Sequence, residues 1–162
     1  MTVKRQVAAV ALLLLGSLFT PQDGARAASS PFAALAGSWS GGGTLTTSNG
    51  QEQLRCRASY QVDGGGNGLR LNLRCASQSY NFNLSGAFEH RGGTISGSWS
   101  EATYNASGTV SGRASGDEVQ AAARGDTFSA NLSLKTRGNR QAVAIQSQGA
   151  AVTGISITLN KQ

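Results

Sequence analysis

The chain has 162 residues, a formal net charge of +6, 14% charged residues and 22 glycines. Sparse charge beside abundant Gly, Ser, Thr, Asn and Gln is the composition of an exported β protein rather than a cytosolic helical one. One histidine, eight acidic residues and two cysteines without CxxC spacing leave little for a metal centre or for acid–base catalysis.

Lys4 and Arg5 precede an apolar run from Val7 to Phe19, followed by Pro21 and the small-residue site Ala25-Arg26-Ala27. This reads as a cleaved export signal over residues 1–27, since the run is shorter than the about 20 apolar residues of a membrane span. Loss of Lys4, Arg5, Arg26 and Asp23 would leave a formal charge of +4 and a product in the periplasm or outside the cell. Residues 28–34 form a short N-terminal segment, and residues 35–162 form one domain large enough to bury its own core.

Period-two alternation then recurs almost to the C-terminus, and no window carries a helical apolar stripe. Asn49-Gly50 predicts a two-residue hairpin with Leu45 opposite Leu54, Gly43 opposite Cys56 and Trp39 opposite Tyr60. The glycine-rich turn from Asp63 to Gly68 lies midway between Cys56 and Cys75. Folding about it sets Cys56 against Cys75, Ala58 against Leu73, Tyr60 against Leu71 and Val62 against Leu69, every pair apolar. Opposed Cβ atoms lie about 4.5–5.5 Å apart, so a cross-strand disulfide is predicted.

Farther along, a turn at Arg91-Gly92 would bring Phe88 to Ile95 and Leu84 to Trp99. A tight turn at Ala102-Thr103 would bring Trp99 to Ala106 and Ile95 to Val110, and Gly138-Asn139 brings Leu134 to Val143 and Leu132 to Ile145. The last strand runs from about Ala151 to Asn160. Ala33 to Ala36 and Glu118 to Arg124 are too short in pattern to assign alone. The expected fold is all-β, an up-and-down antiparallel meander of about 8–10 strands closed into a barrel, because closure removes the edges and wraps the apolar face inside. A two-sheet sandwich satisfies the same periodicity. Gly37-Ser38-Trp39-Ser40 recurs as Gly97-Ser98-Trp99-Ser100, with both tryptophans on the predicted inner face.

Leu35-Ala36-Gly37-Ser38-Trp39 resembles the opening of the calycin barrels, the lipocalin and avidin-like group, whose first strand begins Gly-x-Trp. The resemblance implies that Trp39 plugs one barrel end under a basic side chain from the last strand, the position of Lys161. The stretch Ala28-Ser29-Ser30-Pro31-Phe32, taken with Leu35 to Trp39 and the two cysteines, is also similar to secreted metalloprotease inhibitors of the serralysin-inhibitor type. That likeness implies a small-residue trunk, Ala28, Ser29 and Ser30, ordered only in a protease cleft.

No catalytic, metal or cofactor site is expected. His90, between Glu89 and Arg91, reads as a solvated turn residue, and Arg124-Gly125-Asp126 as a hairpin tip. Glu101 falls on the inward face at a strand end, where it would sit at a solvated rim or reach a ligand at the mouth. Two surfaces remain. Trp39, Tyr60, Tyr80, Phe82, Trp99 and Tyr104 share the inward face with small residues such as Gly41, Gly97, Ala106 and Gly108, a pattern for a cavity holding a small apolar or aromatic ligand. Arg55, Arg57, Arg70 and Arg74 gather on the outer face of the disulfide hairpin, suited to an anionic envelope component, such as lipopolysaccharide or an acidic glycan, or to an acidic protein surface. Nucleic acid is not expected, for want of an aromatic platform beside the arginines. The functions expected are ligand binding in the barrel interior, protease inhibition through the N-terminal segment, or a structural envelope role without ligand.

Overall fold

A computed structural model describes residues 30–162; the expected signal, Ala28 and Ser29 lie outside these residues. A single 3-10 turn, Ala33–Leu35, occupies the first contested segment and leads into ten strands. They are β1 (Gly37–Thr47), β2 (Gly50–Val62), β3 (Gly68–Ala76), β4 (Asn81–Arg91), β5 (Thr94–Glu101), β6 (Ala106–Ser115), β7 (Glu118–Gly125), β8 (Ser129–Arg137), β9 (Arg140–Gln148) and β10 (Val152–Lys161). The second contested segment is thus a strand, β7. Each strand pairs antiparallel with its neighbours in sequence, and β1 pairs with β10, so the sheet is a closed barrel and not a sandwich.

The β2–β3 hairpin has the expected register, Cys56 to Cys75, Ala58 to Leu73, Tyr60 to Leu71 and Val62 to Leu69. The cysteines are bonded, with Cα atoms 4.1 Å apart. Asp63 builds the turn: its carboxylate accepts the Asn67 N–H at 3.0 Å, and its own N–H donates to the Gly68 carbonyl at 3.0 Å. The β8–β9 hairpin likewise pairs Leu134 with Val143 and Leu132 with Ile145.

Three other hairpins are displaced by two residues from the expected register, each for a reason in its turn. At β1–β2, Thr47 faces Gly50, so Leu45 meets Glu52, Gly43 meets Leu54 and Trp39 meets Ala58. The Thr47 hydroxyl accepts the Asn49 N–H at 3.1 Å, Asn49 keeps a negative φ, and the positive φ of 132° falls on Gly50 as the first residue of β2. At β4–β5 the turn is Gly92-Gly93, both with positive φ, which sets Leu84 against Glu101, Gly86 against Trp99 and Phe88 against Gly97. At β5–β6 the loop has four residues, 102–105, with Asn105 at φ 51°, so Trp99 meets Gly108 and Ile95 meets Gly112. A shift of two preserves which face each side chain occupies.

The alternation puts aliphatic and aromatic residues inside and Ser, Thr, Asn, Gln and Arg outside, the reverse of a transmembrane barrel's apolar outer band. No helix among the described residues is long and apolar enough to cross a membrane. Closure at the seam is tight. A side chain on Gly43 would meet the Ser156 carbonyl oxygen at 1.9 Å, and one on Gly41 the Thr158 oxygen at 2.0 Å, so β1 approaches β10 only because these inward positions lack a Cβ.

One end of the barrel is filled. Trp39, 1% exposed, donates its indole N–H to the Leu35 carbonyl at 2.7 Å and meets the Tyr60 ring edge-on at 6.5 Å. Phe32 and Leu35 are buried against it, and Lys161 Nζ lies 5.5 Å from the Trp39 ring, the position implied by the calycin resemblance. Beneath them a buried polar chain runs from Tyr60 Oη, donating to Gln141 Oε1 at 2.8 Å, to Gln141 Nε2, donating to Thr136 Oγ1 at 3.3 Å. Burial pushes the Tyr60 phenol from 10.0 up to about 12, against a smaller opposing effect of its Gln141 partner.

Two outcomes follow from this packing. Reducing the Cys56–Cys75 bond should lower stability by about 2–4 kcal/mol without unfolding the barrel at room temperature, as read from thermal melts with and without reductant. Because the folded Tyr60 pKa is raised, the unfolded chain releases its proton first on going alkaline. Stability is therefore full below pH 10 and falls by about 2–3 kcal/mol as the pH rises to 12. Tyr60→Phe should flatten that alkaline slope in denaturant titrations.

Candidate functional site

The six inward aromatic positions do not form one cluster. Trp39 and Tyr60 belong to the filled end and are fully engaged there. Tyr80 stacks on Phe82 with ring centroids 6.2 Å apart, and Phe82 meets Tyr104 at 5.9 Å, at the opposite end beside the disulfide. Tyr104 is 52% exposed, on loop 102–105 rather than on the inward face, because the four-residue loop lifts it off the sheet. Trp99 is 7% exposed, yet it lies outside the contiguous core that holds Trp39, and it faces Gly86 rather than the expected Leu84. Its ring instead covers Gly108 and Gly125 and packs on Phe128 at 5.3 Å. Phe88 similarly covers Gly86 and Gly97. Rings therefore fill the space over these four glycines.

Burial of the inward face is uneven around the barrel. Leu84, Gly86, Val110, Gly112, Ala121 and Ala123 lie on the inward face of β4, β6 and β7, and each keeps partial access to solvent. Leu84, Val110, Ala121 and Ala123 are also absent from the set of half-buried side chains that pack on the core. Inward residues at the filled end, Trp39, Gln141 and Leu159, have essentially none. Leu45 and Leu54, at the other end of β1 and β2, are equally buried, so the contrast lies between the β1, β2 and β10 wall, which is closely packed, and the β4, β6 and β7 wall, where Leu84, Val110, Ala121 and Ala123 are less covered.

Carboxylates at that second end serve the loops. Burial pushes the Glu101 carboxyl up, but the amides of Asn83 at 2.6 Å and Tyr104 at 2.7 Å, together with Thr103, outweigh it and hold it below the ordinary carboxylate range. Glu101 is thus neither a solvated rim residue nor a free acceptor at the mouth; it ties loop 102–105 to β4. Glu52 accepts the Ser77 hydroxyl at 2.7 Å and the Ser79 amide at 2.9 Å and fixes loop 77–80 in the same way. His90 is also reassigned. It is a half-buried inward residue of β4, edge-on to Phe32 at 6.1 Å, whose Nε2 accepts the Gly93 N–H at 3.1 Å.

Ser30 is held against the barrel, its hydroxyl donating to the Gly66 carbonyl and accepting the Phe32 N–H, and is not a free trunk residue. The four arginines are exposed on the outer face as expected, but they divide. Arg57 faces Arg74 directly, with Arg55 one position along β2, while Arg70 lies toward the filled end between Gln61 and Ala87. Phe32, Phe128 and Gln141 were not legible as packing residues, because each acts through partners distant in sequence.

No family model matches this chain, and no match is found among curated proteins. Among solved structures, the chain is similar to Rv2717c from M. tuberculosis at 12% identity, covering 80% of this chain and 94% of that one with a TM-score of 0.66. The likeness is one of fold, a closed antiparallel barrel compatible with the calycin type.

Proposed function

We propose that this protein is an exported, non-catalytic carrier that holds a small apolar or aromatic molecule in the barrel interior, beside β4, β6 and β7. The observation that carries the reading is the partial solvent access of Leu84, Val110, Ala121 and Ala123 on an inward face whose β1 and β10 positions Trp39, Leu45 and Leu159 are fully buried. Barrel diameter grows with strand number, and about eight strands already leave room for packed side chains or one small ligand. Ala121 and Ala123 put only methyl groups into this part of a ten-strand interior. The lining is aliphatic, and the nearby Glu101 carboxylate is occupied by backbone amides, which favours binding over proton transfer. Export is supported by the residue pattern of positions 1–27 and by a disulfide that persists in oxidising compartments.

Titration with the neutral probe N-phenyl-1-naphthylamine should give saturable emission at one site, with the fluorescence of Trp99 altered on binding. Occupancy at a hundredfold excess over the dissociation constant should raise stability by about 2.7 kcal/mol. Ala121→Phe places a ring in the vacant space and should weaken probe binding at least about tenfold while leaving the melting temperature near that of the parent. Absence of saturable binding, together with a loss of about 1–3 kcal/mol in Ala121→Phe, would mean that the interior is a filled core.

A further inference from the structure

A second feature lies on the outer wall of β1 to β4 and is independent of the interior. The registers lay out two neighbouring rows across these four strands. One row reads Ser40, Arg57, Arg74, Asn83, and the next reads Gly42, Arg55, Ala76, Asn81. The small Gly42 and Ala76 leave a hollow between the longer side chains, a solvent-open depression of about 900 Å³. Leu54, Cys56 and Cys75 also border it, but all three are buried and the hollow faces outward; Phe82, an inward residue stacked on Tyr80, and Thr103 complete its border.

Arg57 directly opposite Arg74 is a like-charge pair that weakens strand pairing. Ion pairs among the described residues are Arg91–Glu89, Lys135–Glu118 and Arg137–Asp117, and none of them relieves Arg55, Arg57 or Arg74. The Cys56–Cys75 bond joins β2 to β3 between the two rows, on the opposite face, and holds the two guanidinium stems together against their repulsion. Three uncompensated arginines fixed around a hollow form an anion receptor, since the planar guanidinium matches the paired oxygens of carboxylate, sulfate or phosphate. Ser40, Asn81 and Asn83 add neutral donors and acceptors suited to hydroxyl groups. The rows hold no aromatic group on which a base would stack and no aliphatic one larger than Ala76.

We propose that this hollow binds an anionic saccharide, with its charged group between Arg57 and Arg74 and its ring over Gly42 and Ala76. Isothermal titration at low salt would use a sulfated hexasaccharide, a galacturonate hexasaccharide and glucose 6-phosphate, with neutral maltohexaose and polyglutamate as controls. At least one anionic saccharide should bind, with affinity falling as salt screens the arginines, and the preferred one identifies the anionic group. Arg57→Gln and Arg74→Gln should each weaken that binding at least tenfold, while Arg70→Gln changes it less than twofold. Without ligand, Arg57→Gln should melt no lower than the parent, because the like-charge pair is relieved, which separates lost binding from lost fold. The proposal is overturned if no anionic saccharide binds, if maltohexaose or polyglutamate binds as tightly, or if Arg70→Gln is as damaging as Arg57→Gln.

Discussion

Pairing of β1 with β10 is the constraint on which the rest of this structure depends. A ten-strand meander left open would present two long edges and an unshielded apolar face. Closing it satisfies the backbone of both terminal strands and fixes which residues meet across the seam. Trp39 falls beside Lys161, Gly41 beside Leu159 and Leu45 beside Ile155. That register places the Lys161 ammonium over the indole and lets Leu35, one turn before β1, receive the indole N–H. A slip of β10 by one residue would turn its Ile155, Ile157 and Leu159 to solvent together. The inward glycines of β1 are the sequence feature that makes the approach sterically possible.

The inward side chains of the ten-strand barrel are unequally buried. Phe32, Leu35, Trp39, Tyr60 and the Tyr60–Gln141–Thr136 chain consolidate one end. On the β4, β6 and β7 wall, Leu84, Val110, Ala121 and Ala123 keep partial access, and the proposed ligand would lie against them. The β2–β3 disulfide stiffens the wall that separates this interior from the arginine rows outside, so a single covalent link supports both proposed sites from opposite faces.

What was legible in the sequence depended on how local the determining interaction was. The disulfide hairpin could be read to the residue because sulfur pairing and apolar matching demand the same register. The face of nearly every strand residue was also legible, since displacing a hairpin by two leaves parity intact. Turn geometry was less so. At Thr47 a hydroxyl bond to the Asn49 amide moved the reversal one residue earlier, and at Gly92-Gly93 two positive φ values moved it one residue later. Tyr104 followed from the same gap, because a turn at Ala102-Thr103 would start β6 too early, within a loop that Glu101 holds apart from the sheet. Trp99 was correctly placed inside, but its partner Phe128 lies three strands away around the barrel and no local pattern announces it.

The proposed carrier role requires an interior that is packed along β1 and β10 and accessible beside β4, β6 and β7. Single cysteines introduced at Val110 and at Leu159, with the native pair left bonded, test this directly through the rate of labelling by a small maleimide in the folded protein. Val110→Cys is predicted to label without unfolding, at a rate unaffected by low denaturant, whereas Leu159→Cys should label only as fast as the barrel opens globally. Equal protection of both thiols would contradict the account, because it would mean that the barrel is filled along its whole length.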